Sequence, residues 1–317
     1  RDLRTSRGLG DVYKRQETPL VKNRKITSID DLSAKDIHSI AELAIKFKKS
    51  KKRIAGNKTK NIFNLFLEPS TRTTISFELA AKNLGYNSVN INFEKSSLSK
   101  GETFNDTMDT LMSMKPDALV IRDKNNFSPM NIAKKSNVPV INAGDGTNEH
   151  PTQALLDYCV IKEIFKKKKI KIGICGDIKH SRVAHSNIKL LSKMGYQIHI
   201  IAPTYFLNRN ELIKINDKIK FHKNLNYLEK LDVLMMLRVQ KERIPKGAKN
   251  MMKSFKKEFC LQNNHLLNKP YLMHPGPVNR NIEISDEVLD NYPKSLILKQ
   301  VEMGVYLRMA CLHYILK

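Results

Sequence analysis

No run of 18 apolar residues occurs in the 317-residue chain, so no part of it is expected to cross a membrane as a helix. Cysteine is scarce: Cys159, Cys175, Cys260 and Cys311 stand far apart and form no C-x-x-C pair. That spacing offers neither a zinc knuckle nor a disulfide framework, and buried, reduced thiols in a cytosolic protein are the expectation. Gly173 and Gly176 lack the remainder of a G-x-G-x-x-G fingerprint, which argues against a dinucleotide site. An acid pair, a nucleophilic Cys/His couple and a metal-ligand cluster are all missing as well, so neither a metal site nor paired-carboxylate chemistry is suggested.

Charge of one sign is in excess. The formal net charge is +25, which invites a nucleic-acid reading. The basic residues are mostly lysines spread along the chain, as in Lys46 to Lys52 and Lys166 to Lys171. They are not interleaved with the aromatics that a base-stacking surface needs. Enrichment in Asn and Ile is what a compositionally biased genome also produces. A solvated basic surface is therefore expected, one that helps gather small anionic substrates. With 41% hydrophobic residues the chain has enough apolar material and length for two domains, each with its own core.

Residues 1–16, RDLRTSRGLGDVYKRQ, contain no methionine, and the first Met is Met108. Asp11 to Gln16 resembles a translated transposon adapter from library preparation. These residues are set aside from fold reasoning, and the natural start is expected to differ from Arg1. No apolar stretch there suits a signal peptide.

Beyond them, apolar residues at helical spacing (Ile37, Ile40, Leu43, Ala44, Phe47) mark a helix within 28–51. Ile62 to Leu67 has the length and polarity of a buried strand, and after Pro69 a helical pattern runs to a stop at Gly85. Ser88 to Phe93 reads as a strand, Glu102 to Met114 as a helix and Ala118 to Ile121 as a strand. The second half repeats the alternation: strand Ile170 to Cys175, helix Arg182 to Met194, strands Ile198 to Ala202 and Val233 to Leu237, and a last helix over Leu298 to Leu316. Such alternation means parallel sheets with crossover helices. The seam is expected near His150-Pro151, where a loop rich in Gly and Asn meets a long helix.

Several blocks carry chemistry. Glu68-Pro69-Ser70-Thr71-Arg72-Thr73-Thr74 joins a strand to a helix whose first turn holds hydroxyls and a guanidinium. Free N–H groups and the helix dipole there favour an anion, and the side chains add donors suited to phosphate. Taken alone, the block is equally an ordinary Ser/Thr cap with an exposed arginine. Ser96 to Thr103 is a polar loop carrying Lys100. His150-Pro151-Thr152-Gln153 sets an imidazole at a helix start with an amide on nearly the same face, a place where a structural cap is also common. Gly176 to Ala184 puts Arg182 at the carboxyl edge of a parallel sheet, and Arg238 to Arg243 lies at another strand end. His274-Pro275-Gly276-Pro277 is a rigid turn whose carbonyls can face an ammonium group. Phosphate donors in one half and carboxylate-binding guanidiniums in the other suggest an enzyme that holds two anionic substrates and polarises one.

These blocks, in this order, resemble the aspartate/ornithine transcarbamylase family from about Ile26 to the C-terminus. Ornithine-type members typically carry a cysteine in the H-P-x-Q motif and another in the late His-containing motif. Thr152 and Gly276-Pro277 occupy those places here, and Arg238-Val239-Gln240 also matches the aspartate type. The resemblance implies an α/β fold of two domains, each a parallel β-sheet flanked by helices, with the C-terminal helix packing back on the N-terminal domain. The expected limits are 17–150 for the carbamoyl-phosphate domain, 151–296 for the aspartate domain and 297–317 for the returning helix.

The resemblance also implies roles. Ser70, Thr71, Arg72, Thr73 and Arg122 would hold the phosphate, and Thr73, Arg122 and His150 would polarise the carbonyl oxygen. Gln153, Gly276 and Pro277 would position the amide and amine, while Arg182, Arg238 and Gln240 would bind the carboxylates of aspartate. Lys100 and Ser96 (or Ser97) would come from a neighbouring subunit, making each site shared across a homotrimer. Glu68 would bridge to Arg182 and Arg243 on domain closure. The expected activity is carbamoyl transfer from carbamoyl phosphate to L-aspartate in pyrimidine synthesis, in the cytoplasm, with no nucleic acid or membrane partner. Regulatory chains, a dihydroorotase and the group that takes the amine's proton are left open. Asn281, where many relatives have Gly, is expected to accept the turn, because Asn tolerates left-handed geometry.

Overall fold

The computed structural model describes residues 24–50, 59–92, 101–166, 170–243 and 249–317. The adapter-like residues 1–16 therefore lie outside the described residues. The first half begins with a capped turn: Ser28 caps Ile29–Asp31. Helix α1 (Ala34–Ser50) follows and buries Ile37, Ile40, Ala41, Ala44 and Phe47 along one face, as their spacing requires. Then come β1 (Asn61–Phe66), α2 (Thr71–Asn83), β2 (Asn87–Asn92), α3 (Phe104–Ser113), β3 (Ala118–Asp123), α4 (Ser128–Lys135), β4 (Val140–Asp145) and α5 (Pro151–Ile164). The second half supplies β5 (Lys171–Cys175), α6 (Arg182–Lys193), β6 (Gln197–Ile201), α7 (Arg209–Ile215), β7 (Lys220–His222), β8 (Val233–Met236), α8 (Lys249–Phe259), β9 (Tyr271–Met273), α9 (Asp286–Asn291) and α10 (Ile297–Ile315).

The strands form two wholly parallel sheets, ordered β2-β1-β3-β4 and β7-β6-β5-β8-β9. In each sheet the strand order reverses once, between β1 and β3 and between β5 and β8. Crossover helices leave opposite faces on either side of such a point, so a crevice opens at the carboxyl ends of those strands. Every sequence motif placed at a strand end falls at one of these two crevices.

Helix α5 lies between the halves and packs on α1, α6, α10 and β4. It is buried nearly all round, from Pro151 to Ile161, and carries the polar Thr152, Gln153 and Asp157 inside along with its apolar residues. Helix α10 returns to the first half and packs on α1, α2 and α5. Among the described residues no helix is long and apolar enough to cross a membrane.

The anticipated strands and helices appear within a few residues of their expected ends. Strands β4, β7 and β9 were not anticipated. Strand β4 contains Asn142, Gly144 and Asp145, which read locally as a turn, but pairing with β3 and burial of all six residues make it a strand. Asn281 does adopt positive φ (59°), and its side chain accepts from the Asp286 N–H at 3.1 Å.

Candidate active site

The loop after β1 delivers Glu68 and Pro69, and α2 starts at once with Thr71 and Arg72. Ser70 is the N-cap residue, yet its hydroxyl makes no capping hydrogen bond. Its carbonyl instead accepts from the Thr74 N–H (3.1 Å) and hydroxyl (2.7 Å). The first turn carries no acidic residue, so its N–H groups and the Ser70 and Thr71 hydroxyls are available to an anion. Arg72 donates from Nη1 to the Pro275 carbonyl at 2.5 Å, and burial lowers its pKa from the ordinary value. This contact ties the start of α2 to the turn after β9.

Arg122, at the end of β3, comes from the strand beside β1 at the switch point. Its Nη1 donates to the Ala143 carbonyl at 3.2 Å, and its Nε lies 2.7 Å from Glu68 Oε1. Arg182, the first residue of α6, pairs with the same carboxylate oxygen. Both guanidiniums pack over Gly144, which has φ +118°. A Cβ there would sit 3.1 Å from Arg182 Cζ and 3.3 Å from Arg122 Nη1. Burial, then the neighbouring Arg182, push the Arg122 pKa down to about 9, so it stays protonated at neutral pH. Arg182 Nη1 is buried with no hydrogen-bond partner among the described residues, a donor available to a bound carboxylate.

His150 is the N-cap of α5 and is buried. Burial first, then Arg122, Arg182 and Arg308, hold its pKa well below the ordinary value. The imidazole is therefore neutral at physiological pH, fit to donate one hydrogen bond to a carbonyl oxygen. Its backbone N–H donates to Ser186 Oγ on α6 at 2.7 Å, joining the two halves beside the site.

From the second sheet, Arg238 and Gln240 follow β8, and Arg238 Nη1 donates to Gln240 Oε1 at 3.4 Å. Asp177, buried after β5, accepts from the Gln240 N–H (3.3 Å) and contacts His180 Nδ1 (2.9 Å). It thereby holds the β5 and β8 loops together. Arg243 donates to the His180 carbonyl at 2.7 Å. Glu68 thus meets both Arg182 and Arg122, while Arg243 donates to the backbone at His180; the Arg122 contact was not anticipated.

One cleft of about 640 Å³ is lined by Glu68, Ser70, Thr71, Arg72, Thr73, Arg122, His150, Arg182, Arg238, Gln240, Arg243, Gly276 and Pro277, all singled out from the sequence. Gln153 does not line it. That residue lines an adjoining chamber of about 250 Å³, together with Arg72, His274 and Pro275. Ser96 and Lys100 lie outside the described residues. Sequence reasoning missed Gly144, Asp177 and Ser186. Asp177 sits inside a motif already noted, whereas Gly144 and Ser186 act across long sequence separations. With five arginines against one carboxylate and a neutral imidazole, the cleft is suited to hold two anions and polarise a carbonyl between them.

Two family models match. The carbamoyl-P binding domain of aspartate/ornithine carbamoyltransferases covers residues 24–163, and the family's Asp/Orn binding domain covers 168–315. The aspartate carbamoyltransferase catalytic subunit of Pelagibacter ubique is 42% identical over 303 residues, spanning 92% of this chain and 95% of its own. That of a Wolbachia from Brugia malayi is 43% identical over 305 residues, spanning 93% and 99%. Aspartate transcarbamoylase of Trypanosoma cruzi, solved in complex with N-(phosphonacetyl)-L-aspartic acid, superposes with a TM-score of 0.82 at 31% identity, covering 92% of this chain and 95% of that one. The catalytic subunit from M. jannaschii gives 0.81 at 33% identity, covering 92% and 97%. Across nearly its whole length, the chain belongs to the aspartate/ornithine carbamoyltransferase family.

Proposed function

We propose that the protein is an aspartate carbamoyltransferase: it moves the carbamoyl group of carbamoyl phosphate to the amine of L-aspartate, giving N-carbamoyl-L-aspartate and phosphate for pyrimidine synthesis. The observation that carries this reading is the convergence of both switch-point crevices on one cleft. Anion donors from the first sheet face Arg182, Arg238 and Gln240 from the second. Two carboxylates on the acceptor suit those guanidiniums. Thr152 and Gly276-Pro277 also stand where ornithine-type members carry cysteines.

In this reading the start of α2 (Ser70, Thr71, Arg72, Thr73) and Arg122 hold the phosphate. Thr73, Arg122 and neutral His150 donate toward the carbonyl oxygen, where negative charge grows as the amine attacks. Fixed donors of this kind lower the barrier without reorganising, and each is worth roughly 10²–10³ in rate. Placing amine and carbonyl side by side supplies much of the rest. The tetrahedral intermediate collapses by expelling phosphate, so the reaction calls for neither metal nor cofactor. Glu68 spaces Arg122 and Arg182 until substrate charge arrives, and Arg243 completes the closed arrangement. Gln153 and the Gly276-Pro277 turn orient the amide and amine.

The working division is a carbamoyl-phosphate domain over 17–150, an aspartate domain over 151–296, and the returning helix over 297–317. Ser96 and Lys100 reach the site of a neighbouring subunit in a cytoplasmic homotrimer. Incubating the purified protein with carbamoyl phosphate and aspartate should release phosphate and carbamoyl-aspartate in equal amounts. Salt-sensitive binding of RNA or DNA without any carbamoyl transfer would overturn the proposal.

A further inference from the structure

One buried carboxylate with no part in the chemistry above orders the residues around it. Asp157 lies on α5, wholly enclosed, and receives three side-chain amides. Gln153 Nε2 donates to its Oδ1 at 2.9 Å, Gln300 Nε2 donates to the same oxygen at 2.7 Å, and Asn187 Nδ2 donates to its Oδ2 at 2.9 Å. These three come from α5, α10 and α6. An ionised carboxylate only accepts, so every amide touching it must turn its NH₂ inward. For Gln300 the orientation is fixed twice, because its Oε1 also accepts the His274 backbone N–H at 2.9 Å. For Asn187 it is also fixed twice, because Nδ2 donates to the Val183 carbonyl at 3.1 Å as well.

Gln153 differs. Its Nε2 is committed to Asp157, and among the described residues none donates to its Oε1. The side chain lines the chamber that adjoins the cleft and shares Arg72 and Pro275 with it. Gln153 Oε1 is thus, among the described residues, the amide oxygen left without a donor beside that chamber, and in the proposed reading it would accept from the amide end of a carbamoyl group that reaches past Arg72 and Pro275.

We propose that Asp157 is a positioning residue for substrate selection: by holding Gln153 with its Oε1 outward, it makes the site read the NH₂ of a carbamoyl group and reject an acyl group of the same shape. This rests on the proposed transfer from carbamoyl phosphate. A carbamoyl NH₂ donates two hydrogen bonds, whereas the methyl of an acetyl group donates none and leaves a desolvated acceptor unpaired. A site built to hydrogen-bond one group discriminates strongly against the analogue lacking it. Burial raises the Asp157 pKa to about 6, so the acceptor-only form still prevails at neutral pH.

The test compares kcat/KM for carbamoyl phosphate and acetyl phosphate, with aspartate as acceptor, in the whole enzyme. Asp157→Asn is nearly isosteric but puts an NH₂ among the three amides. Gln300 and Asn187 are held from their other sides, so Gln153 is the amide most able to turn, presenting Nε2 instead of Oε1 to the adjoining chamber. The preference for carbamoyl over acetyl phosphate should fall about 10-fold or more in the variant. Inhibition by inorganic phosphate should stay within about 2-fold, since no phosphate donor is touched. Mere destabilisation would lower both substrates together, and an unchanged ratio overturns the proposal. Should Asp157→Asn not fold, Gln153→Met removes the acceptor directly, and a preference retained in that variant overturns it equally. A wild-type protein that uses neither phosphate would sink the functional reading itself, an outcome distinct from an unchanged ratio.

Discussion

Replacing Glu68 by Gln removes the one negative charge that separates Arg122 from Arg182. Both arginines reach the same carboxylate oxygen, Arg122 Nε at 2.7 Å, and the three side chains are only 14%, 10% and 19% exposed for Arg122, Arg182 and Glu68. Two guanidinium charges sharing one oxygen, taken about 5 Å apart, repel by about 3 kcal/mol at an effective dielectric of about 20. Residual solvent screening and the amide oxygen of Gln reduce the expected loss to about 2 kcal/mol, or a Tm lower by roughly 4–8 °C for domains of this size. The assay is thermal unfolding of the ligand-free protein, repeated in saturating phosphate. Phosphate supplies negative charge beside Arg122, so it should raise the Tm of Glu68→Gln more than that of the wild type. Equal Tm values without ligand, together with equal phosphate shifts, would refute the idea that Glu68 stands in for substrate charge.

Arg72→Ala removes a phosphate donor and the contact to Pro275; kcat/KM should fall by roughly 10²–10³ or more, and near-normal rates would contradict its assigned role. The His150 ring should remain neutral from pH 8 down through pH 6, because burial and three arginines hold its pKa well below the ordinary value. In that window the unfolded chain takes a proton that the native state refuses, so this group's contribution to stability falls as pH falls below about 6.5. A histidine Cε1–H resonance assigned to His150 that titrates near pH 6.5 would refute this. Mixing Lys100→Ala chains with His150→Ala chains should recover part of the activity if sites are shared between subunits, whereas inactive, verified mixed trimers would count against sharing.

Much of the cleft is legible in sequence because local rules place it. Parallel strands must end in loops, and Ser70 to Thr74, Arg122, Arg182 and Arg238 each sit where a strand ends or a helix begins. What was hidden depends on packing between distant residues. Gly144 looks like an ordinary loop glycine until two arginines, 22 residues before it and 38 after it, close over its α-carbon. The Arg122–Glu68 pair and the meeting of Gln300 and Asn187 on Asp157 leave no periodic signal. The Gln153–Asp157 contact was within reach, since residues four apart on a helix are neighbours. Strand β4 was missed for the converse reason, because its Asn, Gly and Asp obey turn propensities that sheet pairing overrides.

The central claim is the identity of the acceptor, and an amine competition tests it most directly. The purified protein would receive labelled carbamoyl phosphate with equal concentrations of L-aspartate and L-ornithine, and the products would be separated and counted. The arrangement of Arg182, Arg238 and Gln240 predicts label almost wholly in carbamoyl-aspartate. Carbamoylation of ornithine at least as efficient as that of aspartate would contradict it.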